Sequence, residues 1–297
     1  FAQYQEFPQY RLVNHWMTVE DFKQIYIWEY LHRLCGRLLG VVFLVPWVVF
    51  VVRGQIRRTL ALRTGGAFLL GGLQGLLGWY MVKSGLVDTP DVSHFRLAAH
   101  LSLAFVTALY VLWIWMSLQW PESGKRQTNA GRVWVAIGVL IGLQVVYGAF
   151  MAGLKAGYLS NTFPLMSGSI FPVGLFEGKS VIEVAVWAPA GVHLIHRTLG
   201  WCVLVATIFG ALWARALATS RRQRRLSELA VVGVSIQFAL GVLTILFSVP
   251  VCAAVTHQVG ALLLLSVVTA CVYSFREPDC CVERPSASPV AQQSTIN

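Results

Sequence analysis

Four histidines, His32, His100, His196 and His257, each stand a short way into a different apolar stretch, at matching depth. Two repeat a local pattern, His32-Arg33-x-x-Gly36 and His196-Arg197-x-x-Gly200. An ionisable side chain inside a membrane is costly and is retained where it has a partner. Imidazole is a common axial ligand of haem iron. Four imidazoles at one level, two in each half of the chain, are therefore expected to form two bis-histidine metal–macrocycle sites.

Residues near these histidines extend the chemistry. Glu29 precedes His32 by three positions, so the two share one helix face about a turn apart. The matching position in the second half is His193. The halves thus agree on the ligand and differ one turn before it, which points to one site for chemistry and one for electron transfer. The half with Glu29 is the expected reactive one, its carboxylate orienting water or stabilising developing positive charge. His193 is read as a partner of the ligand shell, a propionate donor or a ligand; His196 is preferred as ligand because it keeps register with His32. Arg33 and Arg197 follow their histidines directly and suit bidentate contact with haem propionates. Arg37 lies deeper and is expected to need a partner. Lys83 and Arg96 either meet propionates or anchor the interface.

The elements that must carry these residues follow from composition. The 297 residues are 56% hydrophobic and 12% charged, with mean hydropathy +0.64. That balance excludes an ordinary soluble domain and predicts an all-α polytopic membrane protein. A span needs about 20 apolar residues, and seven stretches qualify: 28–52, 62–82, 96–118, 132–154, 187–214, 228–248 and 255–275. They are too long for barrel strands. The net charge of +10 is concentrated in alternate loops: Arg53, Arg57, Arg58 and Arg63; Lys125, Arg126 and Arg132; Arg215, Arg221, Arg222, Arg224 and Arg225. The excess of arginine predicts that these loops and the C-terminus lie inside, with the N-terminal segment and all four histidines toward the outer side. The clusters read as topology anchors, so no nucleic-acid partner is expected.

The chain repeats itself. His196-Arg197 follows His32-Arg33 by 164 residues, and Gln237 to Gly241 follows Gln74 to Gly78 by 163. His257 follows His100 by 157. Spans one to three thus match spans five to seven, and span four lacks a counterpart. The expected architecture is two pseudo-symmetric four-helix bundles, a common frame for cofactors, with seven spans present and one further helix expected before Phe1. The division is an outer segment with a surface helix (1–27), an N-terminal helical half with the expected reactive site (28–118), an inner loop (119–131), a C-terminal four-helix half (132–275) and a disordered inner tail (276–297). Thr18-x-x-Asp21 resembles a capping box that starts a helix running into span one. His15 and His94 are expected to be solvated or capping loop residues. Of six cysteines none forms C-x-x-C, so covalent haem attachment is not indicated. Cys280 and Cys281 read as incidental tail residues.

Several stretches resemble the haem A synthase family: Glu29 to Arg37, Gln74 to Leu86, Phe95 to His100, Gly148 to Gly157, Asn161 to Met166, His196 to Gly200, and Thr256-His257-Gln258. The likeness runs over nearly the whole chain. It implies that a ring methyl of haem O is oxidised, by successive hydroxylation to a gem-diol, to the formyl of haem A for cytochrome c oxidase. It implies that His32 and His100 bracket the substrate haem O, that His196 and His257 hold a resident haem B, and that Glu29 is the catalytic acid residue. Implied partners are haem O synthase, cytochrome c oxidase assembly factors, an electron donor or acceptor such as a ferredoxin system, and membrane lipid, with homo-oligomerisation left open. The short Asp88–His94 loop points to the bacterial cell membrane rather than the mitochondrial inner membrane. The rival readings are a bis-histidine cytochrome b-type electron-transfer protein, against which the one-sided histidines argue, and a non-catalytic haem carrier.

Overall fold

The computed structural model describes residues 1–84, 90–120 and 126–277. The tail expected to be disordered, with Cys280 and Cys281, lies almost wholly outside the described residues, as does part of the Asp88–His94 loop. Within them the chain is all-α and contains no named strand. Seven helices are long and apolar enough to cross a membrane, which makes this a multi-pass membrane protein. Helical spans satisfy every backbone polar group internally, as hydrocarbon demands.

After a short aromatic N-terminal segment containing α1 (Pro8–Leu12), α2 runs from Val19 to Val52. The capping box forms as the sequence predicts: Thr18 N–H donates to Asp21 Oδ2 at 3.0 Å, and Asp21 N–H to Thr18 Oγ1 at 3.4 Å. The surface helix and the first span are one unbroken helix of 34 residues, about 51 Å long. That exceeds the ~30 Å of hydrocarbon, so α2 projects beyond it. Phe22, Tyr26 and Tyr30 stack along the projection at four-residue spacing, with Phe1 and Tyr4 closing on Phe22.

The remaining spans are α3 (Arg58–Lys83), α4 (His94–Gln119), α5 (Asn129–Gly153), α7 (Pro189–Ala216), α8 (Arg221–Leu246) and α9 (Val251–Ser274), with the short α6 (Val181–Val186) before α7. Helices α5, α7, α8 and α9 close into a ring, each packed on two others. The buried core lies there, around Trp134, Ile137, Ile141, Val203, Ala211, Val234, Leu264 and Val268. Helices α2, α3 and α4 form an open arc; α4 packs on α5 and α9, whereas α2 packs mainly on α3 and buries no residue.

The two groups are bolted together at the histidine end. His94, the first residue of α4, donates from Nε2 to the Val186 carbonyl at 2.9 Å. Its ring sits among Phe95, Phe150 and Trp187. It is 5% exposed, so of the two expected roles, solvated or capping, the first is corrected: the ring bonds the last carbonyl of α6, 92 residues away, in a pocket that forms only when α4, α5 and α6 meet. Lys155 and Asp91 add an ion pair across the same seam at 2.8 Å. Outside the spans, Ser180 and Glu183 form a capping box at α6 that holds the exposed Glu183 carboxyl below its usual range, through the Ser180 backbone N–H first and the hydroxyl second.

Removing the His94 ring leaves the Val186 carbonyl without this donor and opens a cavity, each a recognised cost. His94→Ala is expected to lower stability by about 2–4 kcal/mol, read as a lower thermal midpoint in detergent. His15→Ala, at an exposed position, is expected to leave that midpoint unchanged.

Candidate functional site

The four sequence-predicted histidines arrive on four different helices, all near the end where α4 meets α6. His32 lies on α2 and His100 on α4, and the two are within electrostatic reach of each other. His196 on α7 and His257 on α9 stand in the same relation. The pairs differ in enclosure. His196 and His257 are half-buried within the closed ring of helices, and His100 is half-buried too, whereas His32 is exposed.

Three of the four are clasped by glutamines from the adjacent helix. Gln74 on α3 donates from Nε2 to the His100 carbonyl at 3.0 Å and lies 3.4 Å from ring Nε2. Gln144 on α5 does the same to His196, at 3.0 and 3.4 Å. Gln237 on α8 donates to the His257 carbonyl at 2.9 Å and lies 3.1 Å from ring Nδ1. Four residues after each glutamine stands a glycine, and each ring rests against it. A Cβ at Gly78 would lie 3.0 Å from His100 Cε1, at Gly148 3.4 Å from His196 Cε1, and at Gly241 2.8 Å from His257 Cε1. In a helix the i and i+4 positions share a face, so each Gln-x-x-x-Gly presents an amide and, one turn on, a notch.

Sequence reasoning used Gln74 and Gln237 only as repeat landmarks and missed Gln144. The detectable signal was the third Gln-x-x-x-Gly, Gln144 to Gly148, on the one span without a repeat partner. Among the described residues His32 has no such clasp. A Cβ at Gly200, four residues after His196, would lie in ordinary contact with Gln144, 3.5 Å from Nε2. The matching Gly36, after His32, faces nothing within 4 Å.

The remaining site residues fall into two local pairs. Arg33 folds back one turn to donate to Glu29. Arg197 folds back one turn to donate from Nε to His193 Nε2 at 2.9 Å. The halves therefore keep one link, arginine to the residue four before it, and exchange the acceptor. His193 is wholly buried, and its Nε2 is taken by this bond. Arg197 also donates to the carbonyls of Leu165 and Ser160 at 3.3 and 3.4 Å, pinning the 155–180 segment onto α7. Glu29 and Arg33 are about half exposed. Arg37 is exposed and has no hydrogen-bond or ion-pair partner among the described residues. Arg96 lies 3.9 Å over the Tyr80 ring and donates to the Tyr80 carbonyl; Lys83 lies over Trp79.

Among the described residues no group of three or more His, Cys, Asp or Glu is placed to hold a bare metal ion. Paired imidazoles fit instead an iron that brings its own equatorial ring. Two observations agree with that fit: the Nδ1 atoms of His100 and His196 are buried without a partner, and the glycine notches hold the rings against bare backbone.

The notches make a graded prediction. Gly241→Ala and Gly78→Ala must displace an imidazole, an overpacking cost of about 1–3 kcal/mol, whereas Gly148→Ala meets a looser contact. Pigment retained per protein is expected to fall more for Gly241→Ala than for Gly148→Ala. Equal retention by the two would contradict the packing described.

Comparison with known proteins gives a consistent picture. The chain matches the family described as cytochrome oxidase assembly protein over residues 1–269. It is 39% identical over 289 residues to the haem A synthase of Flavobacterium psychrophilum, covering 93% of this chain and 82% of that protein. It is 41% identical over 285 residues to the haem A synthase of Rhodospirillum centenum, covering 94% and 75%. To that of Nitrosospira multiformis it is 39% identical over 272 residues, covering 90% and 76%.

Proposed function

This chain belongs to the cytochrome oxidase assembly protein family, and we propose on that footing that it is a haem A synthase, an oxidoreductase that converts the methyl group of haem O to the formyl group of haem A. Its role is in cytochrome c oxidase biogenesis. The observation that carries the reading is the pairing of four histidines from four helices at one end of the membrane domain.

The difference in enclosure supports one assignment of the pairs. A resident group should sit where helices close around it, and a substrate where it can enter and leave. His196 and His257 lie inside the ring of α5, α7, α8 and α9 and suit a resident haem B. His32 and His100 flank the open arc, and α2 buries no residue, which suits lateral entry of haem O from lipid and exit of haem A. Bound haem iron supplies the redox chemistry. The protein's own part is to hold the macrocycles, orient the methyl group and manage protons. Glu29, a turn from His32, is the carboxylate we assign to orienting water or stabilising positive charge at the reacting carbon. Its partner Arg33 holds it aimed along the helix. Arg33, Arg37 and Arg197 remain the candidates for propionates, with His193 fixing the Arg197 side chain.

We further place the protein in a bacterial cell membrane, the histidine end toward the outer side, supplied by haem O synthase and served by an electron carrier such as a ferredoxin system and by assembly factors. The face of α2 that bears His32 and Gly36 is open, and a further membrane helix against it would give this half the partner that α5 gives α7.

Three measurements test the reading. Purified protein given haem O and reductant should yield the alcohol and aldehyde products by mass spectrometry; a protein that binds haem and yields neither is a carrier or an electron-transfer cytochrome. Glu29→Gln should keep bound haem and lose at least about 100-fold in oxidation rate, the low end for a positioned acid–base group. His196→Ala should lose the resident pigment, and His32→Ala should retain it.

A further inference from the structure

Ligand pairs do not explain what keeps an imidazole aimed inward from an apolar helix. We propose that Gln74, Gln144 and Gln237 are positioning residues, each fixing the height and ring orientation of the histidine it clasps, so that Gln74 governs the His32–His100 pair while Gln144 and Gln237 govern the His196–His257 pair. This rests on the reading of those pairs as haem sites.

The contact pattern distinguishes this role from simple helix adhesion. Each amide nitrogen touches two atoms of one residue, the carbonyl at 2.9–3.0 Å and a ring nitrogen at 3.1–3.4 Å. Adhesion needs only the first contact. The carbonyl bond pins the backbone of the ligand residue to the neighbouring helix. A helical carbonyl already accepts from the N–H four residues on, so the amide must take its second lone pair. The glycine one turn after each glutamine then receives the ring. Amide, carbonyl and notch together set where the imidazole can sit.

The amide oxygens complete the argument. Oε1 of Gln74, Gln144 and Gln237 is in each case buried without a hydrogen-bond partner. A buried polar atom left unpaired is costly, and a purely structural glutamine gains nothing from one. His32, the one ligand candidate lacking a clasp among the described residues, is also the exposed one.

The test uses the full chain purified with its haem, comparing wild type with Gln74→Leu, Gln144→Leu and Gln237→Leu. The readouts are the low-spin ferric signal, the midpoint potential and the rate of haem transfer to excess apomyoglobin. Loss of a residue that orients a metal ligand typically weakens metal affinity by 10–100-fold. Gln144→Leu and Gln237→Leu are expected to speed loss of the resident haem at least about tenfold and to shift its low-spin signal and potential. Gln74→Leu should leave that signal unchanged and alter only the spectrum produced by added haem O. Should Gln144→Leu fail to accumulate, Gln144→Asn keeps the amide with one methylene less reach and should show the same shift in weaker form. Wild-type protein with no low-spin haem would sink the haem-site reading itself. Wild type with that haem, matched by Gln144→Leu and Gln237→Leu, would overturn the positioning role and leave the haem sites standing. Equal changes in both sites from all three variants would mark general helix packing and would also overturn it.

Discussion

A polar ring carried on an apolar helix must find its partners without leaving the membrane, and the rest of this molecule is arranged around how that demand is met. The answer recurs three times: a glutamine on one helix bonds the carbonyl of a histidine on the next, and a glycine a turn away makes room for the ring. Interhelical hydrogen bonds in membranes are individually modest, about 0.6 kcal/mol on average. Their value here lies in register. They fix the sliding of α3 against α4, α5 against α7, and α8 against α9, and each fixes it at a histidine. Ordinary apolar packing fills the space between, chiefly inside the ring of α5, α7, α8 and α9.

The two halves share a plan and depart from it in ways that matter chemically. Each has an arginine directly after its first histidine, folded back to the residue four before it. In one half that residue is Glu29, near water; in the other it is the wholly buried His193. The Glu29 carboxylate is half exposed to its surroundings. A buried imidazole held by a guanidinium that also grips two loop carbonyls is part of the scaffold. The closed ring and the open arc repeat the contrast at the scale of helices. One half encloses its histidines, and the other leaves His32 exposed.

Much of this was legible in the residues. Seven spans, the capping box at Thr18 and four histidines on separate helices follow from apolar length, local spacing and the cost of polarity in lipid. The role of Gln144 was not legible, because the repeat offered nothing to compare it with; α5 is the unmatched span, and a single glutamine in it reads as tolerated polarity. His94 misled for a different reason. Its partner, the Val186 carbonyl, lies across the fold, and no local pattern separates a buried helix-start histidine from a solvated one. The arginines were ambiguous for a third reason: Arg197 finds its carbonyls in an irregular segment, 160–165, whose path has no periodicity to read.

The length of α2 has a mechanical corollary. From Thr18 down to Pro46 the helix has no interior proline, and its main support is α3. A stiff spar held along one side moves as a whole, so a sideways push on the aromatic-clad end that stands in water swings His32 along with it. His196 sits on a helix gripped by its neighbours in the ring and has no such handle. The spacing across the first histidine pair therefore rests on one helix seam on the α2 side, and that across the second on a closed ring.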